Sequence, residues 1–355
     1  MSSKDLCGIR WEDFQKVALC DKADYFNRDG REYHVLVAQQ FDRARLDYLG
    51  GLATKIRRVA KTEEGSAFLR GLLPHKRAML YFSQPSTRTF LSFCAACQTL
   101  GISVVEVRDT ATSSEFKGES NEDSVRTFSS YCDLIIMRTP VGGLAERMAW
   151  VLSNSDRPIP IINAGSGRDQ HPTQALLDVY TLQRSFETRG GIDGKKIVFV
   201  GDLARGRTVR SLAWLLTNYR DVKQYFVAPP ELQIGEDILD LLHRRGISYE
   251  VLGDFEKVIP EADAIYMTRV QDEWDSAAGE SSKLDIARYH LTEERFRRLK
   301  PDAIVMHPFP RRREIAVEVD EDTRAVYWRQ MRNGMWIRSA LFATIFSVDG
   351  RILDY

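Results

Sequence analysis

The stretch Lys196–Thr208, KIVFVGDLARGRT, passes without a break from a short apolar run into a polar loop bearing two arginines. Seven further apolar runs of similar length accompany it: Ala78–Phe82, Val104–Val107, Leu134–Met137, Ile159–Ile162, Gln224–Val227, Ala264–Met267 and Ala303–Met306. Amphipathic helical stretches separate them. Continuous apolar strands alternating with helices predict parallel sheets covered on both faces. The fold class is therefore α/β. Ligands of open α/β sheets bind beyond the carboxyl ends of the strands. Here nearly every strand runs out into a polar or basic group: Ser86-Thr87-Arg88-Thr89, Arg138, His171, Asp202 to Arg207, Arg269 and His307. Two such sheets facing each other would enclose one cleft lined by Arg, His, Ser and Thr, suited to small anions.

The rest of the chain is read outward from these strands. Residues 1–32 look like an irregular, polar extension. A helix follows with Leu46, Leu49, Leu52, Ile56 and Val59 on one face. The helix that starts near His171 carries Pro172 in its first turn, a favoured place for proline. After it, Arg189-Gly190-Gly191 leads into a new strand, so a domain boundary is expected within 184–194. The expected domains are 33–183 and 184–332, with an apolar last helix in 333–355 packing back on the first. A length of 355 residues suits two domains with real cores.

Composition narrows the partners. Lys+Arg and Asp+Glu balance at 50 each, so no global field draws the chain to nucleic acid or an anionic membrane. Any bound anion must meet a local cluster of positive charge. No apolar run is long enough to span a bilayer. The N-terminal MSSKDLCGIRWEDF has acids and no apolar core, so neither a signal nor a transit peptide is expected, and the location expected is cytoplasmic. Five scattered cysteines suit a reducing compartment. Cys94-Ala-Ala-Cys97 lies in an apolar helical stretch with no second ligand pair, and all five cysteines read as packing residues.

Three segments carry chemistry. Pro85-Ser86-Thr87-Arg88-Thr89 joins a strand to a helix. A plain helix cap needs one Ser or Thr; three hydroxyls with a guanidinium at a helix N-terminus make a phosphate cradle. No Gly-Lys-Ser/Thr is present, so this is not a Walker A loop. His171 and Gln174 lie three apart in a first helical turn and project the same way. In His307-Pro308-Phe309-Pro310-Arg311 two prolines stiffen the backbone and aim its carbonyls; a strand-ending turn accounts for that segment equally well. The Gly201–Thr208 loop lacks two glycines of a dinucleotide fingerprint and bears arginines where a pyrophosphate would approach. Arg207 and Arg269 read instead as carboxylate clamps.

In combination and in this order, PSTRT (85–89), Ser113 to Lys117-Gly-Glu, Met137-Arg138, HPTQALLD (171–178), VGDLARGRT (200–208), MTRVQ (267–271) and HPFPR (307–311) resemble the aspartate/ornithine carbamoyltransferase family, from about residue 35 onward. HPTQALLD and HPFPR look like its aspartate branch. The resemblance implies two α/β domains with the active-site cleft between them, assembled as a homotrimer. It implies carbamoyl transfer from carbamoyl phosphate to L-aspartate in pyrimidine biosynthesis, without cofactor or metal. Residues 33–183 would bind carbamoyl phosphate and 184–332 aspartate.

Position by position, the resemblance gives Ser86, Thr87, Arg88, Thr89 and Arg138 to the phosphate. Arg88, Thr89, Arg138 and His171 would act on the carbonyl oxygen. Gln174 and the carbonyls of Pro308 and Phe309 would hold the carbamoyl NH₂. Arg207, Arg269 and Gln271 would bind the carboxylates of aspartate. Ser113 and Lys117 match a loop that reaches into the neighbouring subunit's site, Lys117 toward both substrates. The chain departs from the family pattern at Phe90, where a second Arg is usual, and at Thr139, Ser166 and Phe309. Two rival readings are a carbamoyltransferase for another amino acid and a silent paralogue acting as a binding or interaction subunit. Retention of Arg88, Lys117, Arg138, His171, Gln174, Arg207 and Arg269 argues against the second.

Overall fold

All eight apolar runs become strands of two parallel sheets in a computed structural model of the chain, and all but the run Val104–Val107 are largely buried. The structure describes residues 4–108, 118–167, 170–275 and 284–355. It divides into two units, Met1–Leu176 with Arg332–Tyr355, and Leu177–Met331.

The first unit carries near its start a small antiparallel hairpin of β1 (Asn27–Arg28) and β2 (Arg31–Glu32). Its main sheet contains β3 (Arg77–Phe82), β4 (Ser103–Val107), β5 (Leu134–Thr139) and β6 (Ile161–Ser166), ordered β4-β3-β5-β6 and parallel throughout. The second unit's sheet contains β7 (Lys196–Val200), β8 (Lys223–Val227), β9 (Tyr249–Leu252), β10 (Ala264–Met267) and β11 (Ile304–Met306). Its order is β11-β10-β7-β8-β9, again all parallel.

Both orders contain a reversal. In the first sheet the chain moves from β3 out to β4 and then returns to place β5 on the other side of β3. In the second it moves from β7 to β8 and β9, then returns to place β10 on the other side of β7. Helices leave in opposite directions at such a switch point, and a crevice opens there. The first crevice lies beyond Phe82 and its register partner Arg138. The second lies beyond Val200 and its partner Met267.

The structure corrects the reading of residues 1–32 as irregular. Short helices span Trp11–Lys16 and Leu19–Lys22. Leu6, Phe14 and Phe26 are fully buried and join Met79, Ile135 and Ile161 in the first unit's core. Trp150 Nε1 donates to the Ile9 carbonyl at 2.8 Å, and Asn154 Nδ2 to the Leu6 carbonyl at 3.0 Å. Isolated apolar residues spaced among charges leave no periodic trace, so local reading misses them.

Other differences are smaller. Strand β6 starts two residues later than its apolar run and continues through Asn163 to Ser166. Pro158 and Pro160 offer no N–H at its start. At its end, buried Asn163 is satisfied by the Leu36 carbonyl and Ser166 Oγ. Strand β9 was not anticipated. It is an edge strand with Val251 43% exposed, so its sequence lacks the continuous apolar signature. Among the cysteines, Cys97 and Cys132 are buried as packing residues would be, whereas Cys7 and Cys20 are exposed. The helix Arg43–Val59 buries Leu46, Leu49, Leu52, Ile56 and Val59 as its periodicity requires, with Asp42 capping it. Among the described residues, no helix is long and apolar enough to cross a membrane.

Candidate active site

The first crevice is built by the segment that leaves β3. Ser86 stands at the N-cap of the helix Thr87–Thr99, yet its side chain makes no capping hydrogen bond. Serine normally fills that role, so here the hydroxyl is left to face whatever sits at the helix's positive end. The intervening residues are stitched to β5: Ser83 N donates to the Arg138 carbonyl at 3.0 Å, and Ser83 Oγ to the same oxygen at 3.2 Å. Arg138 is itself nearly buried and donates through Nη1 to the Ala164 carbonyl at 3.0 Å. Thr89 is 8% exposed, Ser86 and Arg88 are half-buried, and Thr87 is exposed. The hydroxyls, the helix end and the Arg138 guanidinium thus gather at one switch point.

The departures from the family pattern have local explanations. Phe90 packs edge-on against Phe82, with ring centroids 5.4 Å apart, and the Arg108 guanidinium lies 4.3 Å from the centre of the Phe90 ring. A cation is therefore still present against this position, held by cation–π attraction. Thr139 Oγ1 accepts from Val141 N at 3.1 Å, and Ser166 Oγ takes the Asn163 amide.

His171 precedes the helix Pro172–Phe186 and is 4% exposed. Its carbonyl accepts from Gln174 N and Ala175 N, which closes the first turn. One residue in this unit escaped the sequence reading. Arg338 is 2% exposed, and it donates to Ser92 Oγ at 2.7 Å and Thr173 Oγ1 at 3.3 Å. It joins the helix that begins at Thr87 to the helix that begins at Pro172. A lone arginine inside the apolar NGMWIRSALFATIF was the available signal.

The second crevice depends on Gly201, which has φ +112°; a Cβ there would sit 2.2 Å from the Thr268 carbonyl oxygen. Only glycine permits this approach of β7 to β10. Asp202 beyond it is fully buried. Its Oδ1 accepts from Arg205 N at 3.1 Å and its Oδ2 from Gln271 N at 3.0 Å. Burial raises its pKa, and the two amides and the nearby arginines oppose that rise. Arg207 begins the helix Arg207–Leu216. Arg269 grips Glu273 with both terminal nitrogens, the Nη1 contact to Oε2 being 2.7 Å. A cavity of about 320 Å³ borders this region, with Arg269, Tyr289, His290, Arg312 and Glu314 in its walls.

Beyond β11, His307 is 1% exposed and organises the HPFPR turn. Its N–H donates to Gln330 Oε1 at 2.8 Å, and Nε2 meets Glu314 Oε1 at 2.7 Å. Gln330 Nε2 donates in turn to Asp178, a fully buried carboxylate also bonded by the Tyr266 hydroxyl. Phe309 adopts φ +56° and is followed by a cis proline. Ser113 and Lys117 lie outside the described residues.

These positions match a known pair of domains. Residues 33–184 match the family model for the aspartate/ornithine carbamoyltransferase carbamoyl-P binding domain, and residues 193–345 match its Asp/Orn binding domain. The chain belongs to the aspartate/ornithine carbamoyltransferase family. Among relatives in that family, a chloroplastic aspartate carbamoyltransferase of Pisum sativum is 41% identical over 347 residues, covering 97% of this chain and 85% of that protein. The aspartate carbamoyltransferase catalytic subunit of Vibrio cholerae is 40% identical over 88% of this chain and 96% of its own. The crystal structure of aspartate transcarbamoylase from Trypanosoma cruzi with N-(phosphonacetyl)-L-aspartic acid superposes with a TM-score of 0.78 at 37% identity. It covers 88% of this chain and 95% of that one.

Proposed function

We propose that the chain is an aspartate carbamoyltransferase, forming N-carbamoyl-L-aspartate and phosphate from carbamoyl phosphate and L-aspartate in pyrimidine biosynthesis. One observation carries the reading: each sheet's switch point holds the cationic chemistry that one of these substrates needs. Ser86, Thr87, Arg88, Thr89 and Arg138 suit a phosphate, with His171 and Gln174 available for the carbonyl oxygen and NH₂. Arg207 and Arg269 suit a dicarboxylate, and Arg269 already grips the carboxylate of Glu273. The Trypanosoma cruzi enzyme has been crystallised with carbamoyl phosphate and aspartate together.

The chemistry follows from these groups. The neutral amine of aspartate attacks the carbamoyl carbon and drives negative charge onto the carbonyl oxygen. Arg88, Thr89, Arg138 and His171 stabilise that oxyanion, and one such donor is typically worth about 3 kcal/mol. Gln174 and the Pro308 and Phe309 carbonyls orient the NH₂. Phosphate then leaves from the Ser86–Thr89 cradle and serves as proton acceptor. Positioning supplies much of the remaining acceleration.

We place the enzyme in the cytoplasm as a homotrimer in which Lys117 and Ser113 of one chain complete a neighbour's site. A colorimetric assay for carbamoyl-aspartate tests the activity. Turnover is expected with L-aspartate and little with L-ornithine, whose cationic side chain two guanidiniums repel; equal rates with both would overturn the aspartate assignment. Trimers refolded from a mixture of Lys117→Ala and Arg88→Ala chains should recover activity that neither variant has alone. If they recover none, Lys117 serves its own chain.

A further inference from the structure

The loop after β7 carries two arginines, and only Arg207 has a substrate role above. Arg205 is committed elsewhere. Its Nη1 donates to Asp275 Oδ1 at 2.8 Å and to the Gln271 carbonyl at 3.1 Å. The two side chains of this pair are only 13% and 7% exposed. Asp202 adds one more hydrogen bond between the same segments, accepting from Gln271 N, and braces its own loop by accepting from Arg205 N. Residues 202–205 are thereby laced to residues 271–275. Three of the four groups assigned to aspartate border or lie within this lacing: Arg207 two residues beyond Arg205, Arg269 two residues before Gln271, and Gln271 inside it.

Arg269 and Arg205 differ in what release would cost. Glu273, the partner of Arg269, is 46% exposed, so a substrate carboxylate can replace it while Glu273 returns to water. Asp275 is nearly buried, and removing Arg205 from it would strand a charge in a poorly solvated place. One arginine is exchangeable and the other is locked.

We propose that Arg205, locked by Asp275, is a positioning residue for acceptor recognition. It fixes the 269–275 segment on the loop after β7 and so sets the spacing of Arg207, Arg269 and Gln271. The inference rests on the reading of aspartate as acceptor.

The test uses the full-length enzyme and its Arg205→Ala, Arg205→Lys, Asp275→Asn and Arg205→Ala/Asp275→Asn variants. Steady-state kinetics give KM for aspartate and kcat, equilibrium binding gives Kd for carbamoyl phosphate, and thermal unfolding reports the fold. The single variants should raise KM for aspartate roughly tenfold, the scale of one charge-assisted contact. Carbamoyl phosphate affinity should stay within about twofold, since its proposed ligands lie outside this lacing. Arg205→Lys should recover part of the loss. The double variant should be no worse than the worse single, because both remove one connection. Asp275→Asn nearly preserves shape and keeps the test open if Arg205→Ala unfolds. An unchanged KM for aspartate, or equal losses for both substrates with a lowered unfolding temperature, overturns the proposal while wild type remains active on aspartate. A wild type that makes no carbamoyl-aspartate overturns the functional reading and this inference with it.

Discussion

Phe309 N donates to His307 Nδ1 at 2.7 Å, and that contact settles which imidazole nitrogen carries the proton. With Nδ1 accepting, the proton must lie on Nε2, where it is donated to Glu314 Oε1. Burial pushes the Glu314 carboxyl up, but the hydrogen bonds from His307 and Arg312 N hold it below the usual carboxylate range. His307 is therefore a brace under the Pro308 and Phe309 carbonyls. His307→Asn keeps an acceptor where Nδ1 was, and His307→Gln keeps a donor where Nε2 was. His307→Asn should retain more kcat and tighter carbamoyl phosphate binding than His307→Gln. Equal losses in the two variants would show that the Phe309 contact does not matter.

His171 is expected to act on the transition state. Replacing it with alanine should lower kcat by about 10²–10³-fold, the range for one oxyanion donor. KM for aspartate should change far less. Normal kcat in His171→Ala would reduce the residue to a helix-start group and remove it from the mechanism.

Arg338 binds two helices that each start at a proposed substrate contact. Arg338→Met fills similar space but abandons the Ser92 and Thr173 hydroxyls. Loss of buried hydrogen bonds from a charged donor should lower stability by roughly 2–3 kcal/mol in urea unfolding. Phosphate affinity should weaken as well, because the Thr87 helix loses its tie to the His171 helix. Unchanged phosphate binding at reduced stability would confine Arg338 to the core.

His34 gives a pH dependence of stability. Its Nε2 lies 3.0 Å from Ser153 Oγ and its Nδ1 accepts from Ile161 N at 3.1 Å. Burial pushes its pKa down from 6.5 to about 3. The folded chain therefore keeps His34 neutral while the unfolded chain protonates it below pH 6.5. Stability is complete above that pH and falls as pH drops toward 3, by about 2 kcal/mol at pH 5. Denaturant midpoints between pH 7 and 5 should show this slope, and His34→Gln should flatten it. An unchanged slope in that variant would assign the acid sensitivity to other groups.

Most strands were legible because burial on both faces demands unbroken apolar runs, and a candidate site could be proposed because its motifs are contiguous. Phe82 and Arg138 become register partners only through the order of strands, yet each closes a readable run. What was hidden depends on distant partners. Nothing near Arg205 in sequence says that Asp275 will take it, and nothing near Arg338 names Ser92 or Thr173. Leu6, Phe14 and Phe26 belong to a core most of whose other members, from Met79 to Ile161, lie more than fifty residues away. Strand β9 was missed because its exposed edge tolerates the sequence YEVL, in which Tyr249 and Glu250 break any apolar run.

The membership of Arg332–Tyr355 in the first unit has a consequence for synthesis. A ribosome makes residues 1–176, then the whole second unit, and only then the helix that carries Arg338. Until that helix emerges, Ser92 and Thr173 lack their common partner and the first unit's apolar surface is incompletely covered. The second unit has no such debt to the C-terminus and can fold first. The first unit, begun before the second, is thus the later to finish, and its unfinished state is the one most exposed to chaperones and to aggregation on the nascent chain.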